Sequence, residues 1–209
     1  MNIIFLIISI IFLLIIIFLV FWKFWFLRDP ERQIPNGEII IAPADGKILK
    51  IIDIENIDEI SIEKGLVGKI KTLCSDVGNS CYLISIYMSL MSVHIQRAAQ
   101  SGKVLSVHHE NGKLGVTMSF KNGLMNEKTE TLIENKKIGK FKIIQIAGFV
   151  VKRIDNWLNP GDNVIKGQRM GLINFGSQVS LILPKKNVEI KVKPGQKVYA
   201  GSTIIAEIK

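Results

Sequence analysis

A glycine-serine pair, Gly176-Ser177, lies between two apolar runs at residues 170–175 and 179–183. A serine hydroxyl is a nucleophile once a neighbouring base activates it, and a preceding glycine removes steric bulk around the carbonyl carbon that the hydroxyl would attack. Gly-Ser is also common in turns. From spacing alone, a hairpin turn or bulge is therefore the favoured interpretation of this pair.

The other residue types that carry chemistry are equally ambiguous when each is taken alone. Asp45 precedes a glycine and is typical of a turn, and a single histidine such as His94 is more often a hydrogen-bonded structural residue. Cys74 and Cys81 are the two cysteines of the chain, and no histidine stands near them at a zinc-site spacing. They are predicted to be buried thiols, with neither a metal site nor a disulfide framework.

The elements that must position these residues are mainly strands. Short β-rich runs, broken by Gly, Asn, Asp and Pro, predict an antiparallel β-sandwich or barrel-sandwich-like domain. Helix is predicted after the N-terminal segment only at residues 89–99, with a turn near 151–158. The predicted strands are residues 39–42, 47–54, 66–73, 82–87, 103–108, 114–120, 129–133, 140–146, 179–183 and 203–208.

One pattern occurs twice. Residues 160–167 and 194–201 share Pro-Gly-x-x-Val-x-x-Gly, and each copy precedes an apolar strand. The repeat predicts two β-hairpin units of one kind. Such turns resemble those of lipoyl and biotinyl domains and of barrel-sandwich adaptors of membranes, a likeness of fold that does not set function.

The first 27 residues predict a transmembrane anchor, because no charged side chain occurs before Lys23 and the apolar run reaches the roughly 20 residues needed to cross a bilayer. Residues 28–37 are predicted to be a linker and residues 38–209 the folded domain. Basic residues after the span place that domain in the cytoplasm, on the inner face of the cell membrane. The net charge of +9 favours an anionic membrane as the partner, and not nucleic acid.

The stretch from Gly167 to Pro184 resembles the self-processing site of the short, proteobacterial and archaeal type of phosphatidylserine decarboxylase. The match includes Phe175-Gly176-Ser177, the preceding Gly-x-x-x-Gly-x-Ile run and the following strand that ends in Leu-Pro. Four further segments resemble segments of the same family in the same order, at residues 42–47, 91–97, 126–127 and 145–154. Departures from the family pattern occur at Ser92, Lys128, Thr129, Lys152 and Asn174.

This resemblance implies an enzyme that converts phosphatidylserine to phosphatidylethanolamine with a pyruvoyl cofactor. In such enzymes the serine hydroxyl attacks the preceding carbonyl, and elimination then leaves the pyruvoyl group at the new N-terminus, where it serves as an electron sink. The roles carried over are the cleavage site Gly176-Ser177 and the catalytic residues Ser177, His94 and Asp45. The substrate-binding residues implied are Arg97, Asn126, Glu127 and Arg153.

The same resemblance implies a zymogen that matures into a heterodimer of residues 1–176 and 177–209, with further dimerisation left open. Three alternatives remain at this point. A non-enzymatic membrane adaptor would stay intact, a serine hydrolase would keep Ser177 unmodified although it lacks a Gly-x-Ser-x-Gly elbow, and an archaetidylserine-like headgroup could replace phosphatidylserine.

Overall fold

The computed structural model describes residues 3–56, 58–63, 69–111, 127–147, 154–174 and 177–209. The chain begins with helix α1 (Ile3–Val20), which continues as a π-helical segment (Phe21–Phe26). Residues Ile3–Phe26 form a helix long and apolar enough to cross a membrane. The aliphatic side chains of α1 are exposed all round, as a lipid-facing helix requires.

The rest of the described chain is built from strands. Their bounds are β1 (Ile39–Ile41), β2 (Gly46–Glu55), β3 (Glu59–Glu63), β4 (Lys69–Leu73), β5 (Ser80–Met88), β6 (Ile95–Arg97), β7 (Gly102–Glu110), β8 (Lys128–Asn135), β9 (Gly139–Ile146), β10 (Ile154–Asn156), β11 (Asn163–Val164), β12 (Arg169–Ile173), β13 (Ser177–Pro184), β14 (Val188–Ile190), β15 (Lys197–Val198) and β16 (Ile204–Ile208). The predicted mostly β, antiparallel domain behind one N-terminal helix is confirmed.

Eight strands form a curled antiparallel sheet in the order β11-β7-β8-β9-β13-β5-β2-β15. Strand β13 lies at its centre and pairs with β5 on one side and β9 on the other. Two three-stranded sheets, β1-β16-β14 and β10-β12-β6, and the hairpin β3-β4 complete the fold. In this strand order, the strand that begins at Ser177 is hydrogen-bonded to a neighbouring strand on each side.

Two apolar cores lie on the two faces of the large sheet. The larger core contains Ile86, Val179 and Leu181, and the second contains Ile144, Ile182 and both cysteine side chains. Successive side chains of a strand point to opposite faces, so the last six residues of β9 are all buried because both faces are covered. The prediction that Cys74 and Cys81 are buried, free thiols is confirmed.

The sequence repeat forms two equivalent turns. Strand β11 pairs with β7 at one end of the large sheet, and β15 pairs with β2 at the other end. The glycines at matching positions of the two copies, Gly161 with Gly195 and Gly167 with Gly201, all have positive φ. This backbone conformation favours glycine because it has no Cβ atom.

The predicted helix at residues 89–99 is wrong. Residues 95–97 form β6, which pairs with β12, and the described structure has no helix elsewhere in this segment. Tertiary pairing therefore overrides the local pattern here. Of the predicted turn at 151–158, residues 154–156 form β10. The predicted strand at 114–120 and the first three residues of the one at 66–73 lie outside the described residues.

Candidate active site

Three strands bring His94 to the position where the chain approaches Ser177. Strand β12 ends at Ile173, three residues before Gly176, and β13 begins at Ser177 opposite Met88 of β5. The Ile173 amide donates a hydrogen bond to the His94 carbonyl at 3.2 Å. His94 therefore lies beside the end of the strand that leads into the Gly176-Ser177 bond. Gly176 and the Ser177 side chain lie outside the described part of the structure.

The His94 side chain is fully buried. Its ring stacks on Phe26, with ring centroids 3.9 Å apart and an interplanar angle of 24°. Neither ring nitrogen meets hydrogen-bond geometry with a described residue, although the Ser92 backbone lies near enough to oppose part of the pKa shift of the ring. Burial, assisted by the nearby positive charge of Arg28, lowers the pKa of His94 to about 4. The imidazole is therefore neutral near pH 7 and able to accept a proton.

Asp45, the other predicted partner of the serine, is buried and already hydrogen-bonded. One carboxylate oxygen accepts a hydrogen bond from Arg32 at 2.9 Å, and the other accepts from the Ala200 amide at 2.7 Å. Among the described residues, the His94 ring makes no hydrogen bond with this carboxylate. The fold thus buries both residues without joining them as a hydrogen-bonded pair among the described residues.

Of the four predicted substrate-binding residues, the structure describes Arg97 and Glu127. Arg97 is buried and donates hydrogen bonds to the Asp29 carboxylate at 3.0 Å and to the Gly167 carbonyl at 3.1 Å. Glu127 is buried and accepts a hydrogen bond from the Ile154 amide at 3.2 Å. Asn126 and Arg153 lie outside the described residues, although each immediately precedes a described one.

The segment of residues 27–34 that follows the helix, which we term the strap, is packed against the site. Asp29 binds Arg97 and Arg32 binds Asp45. The side chain of Ile34 lies so close to Gly167 that a Cβ atom there would approach it to 2.5 Å. Residues 28–37 were predicted as a linker, and these contacts with the folded domain were not predicted. The one local feature of the sequence that could have indicated these contacts is the mixture of acidic and basic residues directly after the apolar span.

A buried chain of polar side chains holds the backbone of His94 in place. The Gln96 amide donates to the His94 carbonyl at 2.6 Å and accepts from Gln145 at 2.9 Å. Asn156 donates to Gln145 at 2.9 Å and to Thr131 at 3.0 Å. Buried amides that are paired in this way specify one arrangement, because each unmade hydrogen bond would carry a desolvation cost.

Three buried polar side chains near the cleavage position lack partners among the described residues. They are the His94 ring, the Asn174 carbonyl oxygen and both amide atoms of Gln178. Asn174 and Gln178 flank Gly176-Ser177 in the chain. Burying unpaired polar groups costs free energy, so this region suits a polar group that is not a side chain of the described residues. The Gln178 amide nitrogen is a donor that suits the carbonyl oxygens of a pyruvoyl group, whereas the Asn174 oxygen is an acceptor and does not.

The depressed pKa of His94 has a consequence for stability. In the unfolded chain the pKa returns to its ordinary value of 6.5, while in the folded chain it is about 4. Between these values the unfolded chain binds a proton that the folded chain does not, so the free energy of unfolding falls as the pH drops from about 6.5 towards 4. We expect a loss of about 2 kcal/mol between about pH 7 and pH 5 from this residue.

The measurement is urea unfolding of the full chain in neutral detergent at both pH values. The variant His94→Gln keeps a buried polar side chain but cannot titrate, so its stability should depend less steeply on pH. Equal slopes for the two proteins would show that the pKa of His94 is not depressed.

Comparison with known proteins shows the family of the chain. The sequence profile described as phosphatidylserine decarboxylase matches residues 20–206. A phosphatidylserine decarboxylase proenzyme from Carboxydothermus hydrogenoformans is 37% identical over 186 residues, 88% of this chain and 79% of the relative. One from Chlorobium phaeobacteroides is 39% identical over 184 residues, covering 87% and 76%. A Methanothermobacter thermautotrophicus protein named as an archaetidylserine decarboxylase proenzyme is 40% identical over 183 residues, covering 87% and 78%.

The chain belongs to the phosphatidylserine decarboxylase family. Its relatives are named proenzymes, which implies that members of this family process themselves. Family membership does not favour the adaptor alternative.

Proposed function

We propose that the protein decarboxylates phosphatidylserine to phosphatidylethanolamine with a pyruvoyl group made from Ser177. The observation that carries the proposal is the placement of His94, buried, neutral and unpaired, beside the strand that leads into Gly176-Ser177. The family relationship supplies the reaction class. The archaeal relative named for archaetidylserine indicates that the headgroup chemistry, and not the lipid backbone, is shared across such proteins.

In the processing reaction, His94 accepts the proton of the Ser177 hydroxyl as its oxygen attacks the Gly176 carbonyl carbon. The bond between the Gly176 carbonyl carbon and the Ser177 nitrogen then breaks, the nitrogen takes the proton held by His94, and an ester forms. Loss of the Ser177 α-proton and cleavage of the Cβ–O bond release the Gly176 carboxylate. Hydrolysis of the remaining enamine then releases ammonia and leaves the pyruvoyl group on residue 177.

Asp45 is proposed as the residue that orients His94. Because its oxygens bind Arg32 and the Ala200 amide, direct contact with the imidazole requires Arg32 to move. Burial lowers the pKa of Arg28, and the nearby Asp45 carboxylate opposes that shift.

In the decarboxylation reaction, the pyruvoyl group supplies an electron sink when it is present. His94, no longer facing a serine hydroxyl, is the proposed proton donor to the decarboxylated carbon. Arg97, Asn126, Glu127 and Arg153 are the proposed substrate-binding residues. For Arg97 this role requires release from Asp29, to which it is now paired.

We place the protein at the cytoplasmic face of the cell membrane, anchored by residues 1–27, with residues 28–37 as the connection and 38–209 as the catalytic domain. The proposed fragments 1–176 and 177–209 remain together as a heterodimer. Support for this comes from β13, which pairs on both sides with strands of the larger fragment, and from β16, which pairs with β1.

The proposal is tested by the intact mass of the purified, active protein under denaturing conditions. We expect two fragments that part between Gly176 and Ser177, with a blocked N-terminus on the smaller one. Without denaturant the fragments should elute together, since separation would remove the central strand of the sheet. A single unprocessed chain in an active preparation would contradict the pyruvoyl assignment.

A further inference from the structure

A pocket of about 470 Å³ opens next to the candidate active site. Three basic side chains line it: Arg28 of the strap, Lys47 of β2 and Lys197 of β15. The carboxylate among the lining residues is that of Asp45, and it is paired with Arg32 at 2.9 Å. The pocket therefore carries a positive charge that its own described lining does not balance.

The two lysines are placed against each other by the sheet. Lys197 lies directly opposite Lys47 in the β15-β2 pair, and like charges at directly opposite positions of antiparallel strands are unfavourable. Within the described residues, neither ammonium has an ion pair; the only recorded contact is that of Lys197 with the Tyr199 ring, at 5.2 Å from its centroid. A bound anion between the lysines would turn this repulsion into attraction.

The pocket also lies near β13, the strand that begins at Ser177. Tyr87, which lines it, lies opposite Lys47 in one strand pair and opposite Gln178 in the next. A single strand, β5, therefore separates Lys47 from the strand that begins at Ser177. Ser92, another lining residue, is two positions from His94.

The same pocket lies at the end of the anchor. Arg28 follows the helical segment by two residues and donates hydrogen bonds to the carbonyls of Trp25 and Met91. Leu90 and Met91 are 51% and 62% exposed beside it. Exposed apolar side chains next to a membrane anchor suit a surface that touches lipid. An anion that arrives attached to a membrane lipid would thus enter from this side.

We propose that Arg28, Lys47 and Lys197 bind the phosphodiester of the substrate phospholipid, leaving its amino acid end to reach residue 177. The inference rests on the proposed function. It assigns phosphodiester binding to a site distinct from Arg97, whose charge is paired with the Asp29 carboxylate. Arg28 donates to two neutral backbone carbonyls, so these bonds leave its positive charge unpaired. Phosphate oxygens and Lys or Arg side chains form charge-assisted hydrogen bonds, which are stronger than neutral ones.

The test compares the double variant Lys47→Gln/Lys197→Gln with a matched control, Lys136→Gln/Lys140→Gln, which removes the same charge from the exposed β8-β9 turn. The substrate is dihexanoyl phosphatidylserine as monomers, so that attraction to a charged surface does not contribute. Loss of two charge-assisted contacts should raise KM about 10- to 100-fold, with kcat per pyruvoyl group nearly unchanged. The control should keep the parental KM.

A second arm uses dihexanoyl phosphatidylglycerol, which has the phosphodiester but no amine. It should inhibit the parent protein competitively and the Lys47/Lys197 variant much more weakly. Removal of the opposed lysine charges relieves repulsion, so the variant should fold and mature normally, as shown by its two fragments in a mass spectrum.

The outcomes separate this inference from the proposed function. Normal fragments with an unchanged KM on monomers would overturn the phosphodiester site and leave the decarboxylase assignment intact. A KM increase seen only on anionic vesicles, or equally in the control, would also overturn it, because general attraction to the membrane would then be the cause. Failure of the parent protein to form a pyruvoyl fragment would instead contradict the proposed function.

Discussion

The variant Ser177→Ala is expected to remain a single uncleaved chain with no decarboxylase activity. Alanine lacks the hydroxyl that attacks the Gly176 carbonyl, so neither the ester nor the pyruvoyl group can form. Because the product of processing is itself the electron sink for decarboxylation, one substitution should remove both reactions. Mass spectrometry of the purified chain and release of carbon dioxide from phosphatidylserine measure the two effects separately.

Ser180→Ala is the matched control. Ser180 lies in the same strand, is buried, and its hydroxyl contacts that of Ser85 at 3.3 Å. Its loss should cost about 1 kcal/mol of folding stability and leave cleavage intact. Cleavage of the Ser177→Ala chain at the same bond, or activity without cleavage, would refute the role given to Ser177.

The variant His94→Ala is expected to be slower in both self-cleavage and decarboxylation. Without the imidazole, self-cleavage should slow by roughly 10²- to 10⁴-fold, the usual contribution of a positioned acid-base group. Turnover per pyruvoyl group should fall by a similar factor, because the decarboxylated carbon needs a proton and His94, buried beneath Phe26, is its proposed donor. The rate of fragment formation in freshly synthesised chain measures the first stage.

For the second stage, slowly matured His94→Ala protein is assayed and its pyruvoyl content is titrated with a carbonyl reagent. His108→Gln serves as the control, since His108 is exposed and contacts only Glu110 among the described residues. Unchanged turnover per pyruvoyl group would confine His94 to processing. A normal rate of fragment formation would show that His94 has no role in self-cleavage.

The sequence by itself was enough to predict the class of fold and the chemistry. Short β-rich runs broken by Gly, Asn, Asp and Pro identified the long strands of the large sheet, because β-branched and aromatic residues suit strands and these breakers suit turns. The repeated Pro-Gly turns could also be predicted, because a positive φ favours glycine whatever surrounds it. The ordered segments around Gly176-Ser177 indicated a family that the comparisons then showed.

Only the tertiary structure decided what surrounds each reactive group. Arg97 and Asp29 are 68 residues apart in sequence, and Asp45 and Ala200 are 155 apart; no local pattern encodes such pairs. The segment at 89–99 looked helical because helix propensity is a local quantity, yet the hydrogen bonds of β6 with β12 outweigh it. The depressed pKa of His94 likewise arises from burial beneath Phe26, a contact that exists only after the helix end and the domain have packed together.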